Sequence, residues 1–231
     1  MSRGLGDVYK RQGHVGIDET NRRFFVSDHG KLKIFAYDLD SVLTTPEYQP
    51  SVKIDMKKKL FPDDYLYLND TLCIAKIIEP IGNNDYKPSV ARWNMATGEI
   101  NPMPYEYPDL KKVRFIYAAS AEHQLYVQCY TQYDLMTICD FNGNLKCNIY
   151  GPKWVNEKTQ TQHYSLGVEF CGDKILALYS GGDHRTDAYY PTKFLVFDLN
   201  GNYLKTLETG YMITDFCYDT VSYTHLRAHE T

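Results

Sequence analysis

The sequence predicts an all-β chain, a partial β-propeller of about four four-stranded blades followed by the first strand of a fifth. Three observations predict it. Short runs rich in β-branched, aromatic and aliphatic residues dominate, and no segment keeps a 3.6-residue apolar period over three turns. Four such runs, 24–27, 72–75, 125–128 and 175–178, recur almost evenly: Phe25, Cys73, Tyr126 and Leu176 stand 48, 53 and 50 residues apart. After each run comes an apolar strand that ends in Asp or Asn and then a turn. Its anchors, Asp38, Asn94, Asp140 and Asp198, are spaced 56, 46 and 58.

Each unit reads as four short strands. The first strand is 15–18, 65–68, 115–118 or 166–170, and the second is the recurring run. The third carries the anchor residue, and the fourth closes the unit, as 145–150 and 203–208 do. Asn-Gly at 142–143 and 200–201 is a strong hairpin signal, because both turn positions accept positive φ. A period near fifty with four strands per unit marks a β-propeller, whose blades bury their faces by stacking. The expected blades are 13–56, 60–104, 113–150 and 163–208, with 213–218 opening the next. A β-sandwich is the competing architecture, but it requires no fourfold recurrence of one strand-and-turn unit.

The two ends read differently. Residues 2–12 and 221–231 back-translate to nucleotide strings that are reverse complements of each other apart from edge bases. They look like a sequencing adapter translated in frame. On that reading 1–12 and 221–231 are adapter-derived and unstructured, and 13–220 is an internal fragment lacking any targeting signal. An open arc leaves faces uncovered, so 13–220 alone is expected to be poorly soluble or oligomeric.

Composition narrows the function. The chain has 25 Lys and Arg against 29 Asp and Glu, a net charge of −4. The tails carry Arg3, Lys10, Arg11 and Arg227 against Asp7 and Glu230, so the core is more acidic still. That argues against a nucleic-acid partner. The triple lysine at 57–59 lies among Asp55, Asp63 and Asp64 and reads as a solvated loop. No stretch reaches the roughly 18 apolar residues of a membrane span. Six cysteines form no Cys-x-x-Cys pair and sit mostly in apolar runs, as buried thiols do.

The blade anchors 197–202 (FDLNGN) and the strand 212–219 (MITDFCYD) resemble TolB-like six-bladed β-propeller proteins. The second unit departs from the pattern, with Asn94 in place of Asp and a longer turn. The resemblance implies a six-bladed ring and, through the export or lipoprotein signals usual in that family, a periplasmic or cell-surface location. It carries over no catalytic residue.

Candidate chemistry is sparse. Of 21 tyrosines, Tyr65, Tyr67, Tyr105, Tyr107, Tyr189 and Tyr190 fall near strand ends or in loops, where amphipathic rings suit a contact face. The polar segment 180–187 (SGGDHRTD) reads as the loop between the second and third strands of the fourth unit. There Asp183 and His184 suit an acid–base pair beside Arg185, or Asp183 and Asp187 a hard cation; a plain exposed loop explains it as well. His163, Ser165 and Glu169 share one parity of a channel-lining strand, as His14 and Asp18 do in the first unit. No Gly-x-Ser-x-Gly elbow or phosphate-binding glycine loop occurs. The expected ligand-contacting residues are therefore Asp183, His184, Arg185, Tyr189, Tyr190, His163 and Glu169. No catalytic residue, metal or cofactor is assigned. The expected function is a non-enzymatic binding or scaffold propeller for a peptide, glycan or partner protein. The alternative is a propeller hydrolase or lyase with its site at the central channel.

Overall fold

The computed structural model describes residues 15–28, 30–56, 60–82, 85–108, 110, 112–186 and 189–218, and the backbone of 225–228. The fold is all-β, as the period predicts. Four four-stranded antiparallel sheets follow one another along the chain, and in each the strands pair in chain order. The first sheet joins β1 (Val15–Asp18), β2 (Arg23–Asp28), β3 (Lys33–Asp38) and β4 (Ser51–Asp55). The second joins β5 (Phe61–Asn69), β6 (Leu72–Pro80), β7 (Tyr86–Trp93) and β8 (Ile100–Pro102). The third joins β9 (Phe115–Ser120), β10 (Leu125–Tyr130), β11 (Leu135–Asp140) and β12 (Leu145–Tyr150). The fourth joins β13 (Thr161–Cys171), β14 (Lys174–Asp183), β15 (Lys193–Asp198) and β16 (Tyr203–Glu208). A further pair, β17 (Ile213–Cys217) and β18 (His225–Ala228), follows. This succession of four-stranded meanders is the blade pattern of a propeller. In such a meander the second-to-third turn and the exit to the next sheet lie at the same end.

The chain forms two compact units, Met1–Pro102 and Met103–Thr231, each with two four-stranded sheets, the second also holding the β17–β18 pair. In the first, β1 runs beside β5. Phe25, Ile34, Tyr65, Cys73, Ala75 and Trp93 pack together between the sheets. Tyr65, expected near a strand end, is 2% exposed and meets the Trp93 ring edge-on at 5.2 Å. In the second unit β9 runs beside β13, and β13 beside β17. Val127, Met136, Ile138, Tyr164, Ile175 and Ala177 fill the space between its sheets, and Leu178, Phe194, Ile213 and Phe216 carry the packing on to β17. Each fully buried large apolar side chain contributes roughly 1.5–3 kcal/mol.

The anchor residues hold their turns by shared chemistry. Asp140 Oδ1 accepts from the backbone N–H groups of Asn142 and Asn144, both at 2.8 Å, and its Oδ2 accepts from Asn144 Nδ2 at 2.8 Å. Asp198 does the same with Asn200 and Asn202, at the same three distances. Gly143 and Gly201 supply the positive φ, +81° and +86°. Asn94 uses one oxygen to accept from Ala96 N and Thr97 N. Asp38 differs: it caps a short helix, α1 (Leu39–Thr44), by accepting from Ser41 N at 2.7 Å. The stretch 38–41 (Asp-Leu-Asp-Ser) offers a helix cap and no glycine for a tight hairpin.

Three further expectations change. Residues 180–183 are not loop but the end of β14, where Gly182 and Asp183 pair with Gln162 and Thr161. Within the tail expected to be unstructured, His225–Ala228 pairs antiparallel with β17. An edge strand offers open backbone groups that any extended segment can meet. Among the cysteines Cys217 is exposed and Cys147 half-buried; all six are free. His14, residues 57–59 and Asp187 lie outside the described residues.

Candidate functional site

In the first unit the residues around the β2–β3 and β6–β7 connections of the two sheets line a common hollow. The strands of the second sheet, β5 and β6, are nine residues each, whereas β1 has four and β2 six. Between the sheets lies a groove of about 1060 Å³. Val26, Phe61, Ile78 and Tyr86 give it apolar walls. Asp28 and Lys31 from one sheet and Asp63 and Lys76 from the other bring charge.

The charges are paired within each sheet. Lys76 Nζ donates to Asp63 Oδ2 at 2.8 Å, with side chains 19% and 31% exposed. Lys31 lies 3.4 Å from Asp28, and its backbone N–H donates to Asp28 Oδ1 at 2.9 Å. That backbone bond, with the ammonium beside it, holds the Asp28 carboxyl below its usual value. The local cause is the turn: an Asp followed by Gly30 caps its own chain reversal. Lys31 is further steadied 5.5 Å above the Phe35 ring.

At the opposite end of the same unit a second polar cluster has a different character. Arg23 donates to Asp18 at 2.6 Å, Tyr67 to Asp70 at 2.7 Å, and Lys53 to Asp70 at 2.7 Å. Arg23 and Lys53 each sit 5.8 Å from the Phe25 ring. Burial pushes the Asp18 carboxyl up, but bonds from Asn21 and Arg23 outweigh it and hold it below its usual value. Asp18, expected to line a channel, is 5% exposed and spent on these bonds. The cluster links the two sheets.

In the second unit the expected residues are dispersed. His163 is 1% exposed; its Nδ1 lies 3.3 Å from the Tyr179 hydroxyl and 3.6 Å from Asp134 Oδ1. Burial lowers the His163 pKa, with Asp134 opposing and Lys153 assisting. Glu169 is exposed farther along the same strand. Between them the ladder shifts register and Leu166 takes a φ of +67°, so the common parity does not gather the two side chains.

Asp183 accepts from the Arg185 backbone N–H at 2.9 Å, the main cause of its lowered pKa, and it holds the Arg185 guanidinium at 3.4 Å. His184 binds the Gln160 carbonyl at 3.0 Å and stands 3.7 Å from the Asp183 carboxylate, beyond hydrogen-bond reach. The expected acid–base pair is therefore a self-bonded turn. Tyr189 and Tyr190 lie half-buried against each other at 4.1 Å.

Reading the residues in order missed the groove. Asp28 and Lys31 are close in sequence, but only the fold sets them opposite Asp63 and Lys76. It named Tyr107 for a contact face but missed its partners in the second unit, where Trp154 meets Tyr150 at 5.1 Å and Tyr107 at 5.7 Å. A tryptophan in a polar loop, one of only two in the chain, was the available signal.

No protein-family model matches the chain, and no curated protein does. Solved structures do. Two structures of the extracellular domain of BT4673 from B. thetaiotaomicron, described in one as a one component system and in the other as a hybrid two component system, align with TM-scores of 0.56 and 0.57. Both are 11% identical and cover 90% and 94% of this chain, but only 25% and 26% of their own. The chain thus spans about a quarter of that domain's length, and the likeness is one of fold.

Proposed function

We propose that the chain belongs to a non-enzymatic, ligand-binding propeller of the periplasm or cell surface. The groove of the first unit carries the reading. It has the size, apolar walls and few placed polar groups of a ligand site. Asp28, held below the usual carboxylate range by the Lys31 N–H, suits an acceptor of ligand hydrogen bonds. The extracellular setting of the BT4673 structures supports the location, and the TolB-like resemblance supports a six-bladed ring. The ligand class is a peptide, glycan or partner protein.

The test is a thermal-shift screen of the whole chain against soluble peptides and glycans, repeated on Phe61→Ala. A hit that raises the melting temperature of the parent but not of the variant supports the reading. A hit unaffected by Phe61→Ala, or no hit at millimolar concentration, overturns it.

A further inference from the structure

We propose that the groove takes a neutral oligosaccharide, an inference that rests on the binding reading above and names its ligand. The argument is one of charge and shape. Each wall offers a carboxylate beside an ammonium, Asp28 with Lys31 and Asp63 with Lys76. The four charges sum to zero, so the site has no net attraction for an acidic or a basic ligand. An anion that approaches either lysine meets an aspartate, and a cation meets the reverse.

A neutral polyol uses both members of such a pair. Its hydroxyls donate to the carboxylate and accept from the ammonium, and charge-assisted bonds of this kind are the stronger class. The Asp63–Lys76 pair and the Asp28 carboxylate are also pre-set. Lys76 and Asp63 are about two-thirds or more buried and already bonded, and Asp28 is fixed by the Lys31 backbone N–H. A rigid site spends less on ordering when it binds. Phe61 and Tyr86 provide ring surface for the C–H face of a sugar, and Val26 and Ile78 complete the apolar walls. The volume, about 1060 Å³, lies just above the roughly 300–1,000 Å³ of small-molecule sites and admits several linked sugars.

The test uses the whole chain and isothermal titration. The probes are neutral tri- to hexasaccharides of glucose, mannose and xylose, the acidic oligogalacturonates, and neutral, acidic and basic pentapeptides. Two variants read the site: Asp63→Asn with Lys76→Gln, which keeps size and removes charge, and the milder Lys31→Gln at a side chain 69% exposed. Circular dichroism and melting temperature confirm folding. The expected result is binding of at least one neutral oligosaccharide, weakened tenfold or more by the double variant and several-fold by Lys31→Gln, with no binding of the charged series. Peptide binding lost in the same variants would overturn the glycan inference and leave the binding reading standing. Neutral-glycan binding indifferent to both variants would overturn this site. No binding by any probe would sink both.

Discussion

Asp134 and His163 lie 3.6 Å apart, Oδ1 to Nδ1, each 1% exposed. The pair lies where the His163 backbone N–H donates to the Thr131 carbonyl at 2.8 Å, joining the β10–β11 turn to the first strand of the fourth sheet, with the Tyr179 hydroxyl 3.3 Å from the same ring nitrogen. Burial outweighs the Asp134 carboxylate, so the folded-state pKa of His163 lies below the ordinary 6.5. The unfolded chain therefore binds this proton first on acidification. The stability His163 contributes is complete above about pH 6.5 and is lost as the pH falls toward the folded-state pKa. Urea midpoints between pH 7.5 and 5.5 are expected to fall, and to fall less in His163→Phe. An equal slope in the variant would show that His163 does not carry the effect.

Gly151 holds the loop after β12 against the same aspartate. Its N–H donates to the Asp134 carbonyl at 2.8 Å, and Lys153 N donates to Asp134 Oδ2 at 2.9 Å. A Cβ on Gly151 would collide with the Asp134 carboxylate. Gly151→Ala is expected to cost about 1–3 kcal/mol in chemical denaturation, as overpacking does. Proteolysis within 151–160 should rise in parallel, whereas unchanged stability and protection would mean that the loop yields freely.

The Asp198 turn offers a direct measure of the repeat's local chemistry. Asp198→Ala removes three hydrogen bonds from the turn and is expected to lower the denaturation midpoint. Asp198→Asn keeps an acceptor for the backbone N–H groups and should cost less. Asp140→Ala in the third sheet should shift the midpoint in the same direction and by a similar amount, given the same bonds. A large difference between the two would mean that packing around the turns, not the turns themselves, sets the cost.

Arg23 and Asp18 form the third measurable link. Arg23→Ala leaves a carboxylate that is 5% exposed with the Asn21 bonds and the Tyr67 hydroxyl, at 3.5 Å, beside it. The expected cost is about 1–3 kcal/mol, because a buried acceptor loses its charged donor. Adding Asp18→Asn should recover part of the loss, and a double-mutant cycle reports the coupling. A coupling near zero would mark the contact as incidental.

What the sequence determined by itself was the local chemistry. Four strand units and their anchors at Asn94, Asp140 and Asp198 were legible because an Asp or Asn bonding to residues two to four ahead is decided within one turn. Asp38 was legible as an anchor, but its cap on α1 depended on the residues after it. What only the tertiary structure decided was what meets across sheets. His163 reads as a channel residue until the β10–β11 turn brings Asp134 against it. The stretch 180–182 reads as loop until Gln162 is present to pair with Gly182. Asp63 and Lys76 are residues of one sheet that become a wall of the groove only when Asp28 and Lys31 of the neighbouring sheet line it too. Hydrogen bonds inside a turn are written in adjacent residues; the gap between two sheets depends on strand length and on packing at a distance, which no local pattern encodes.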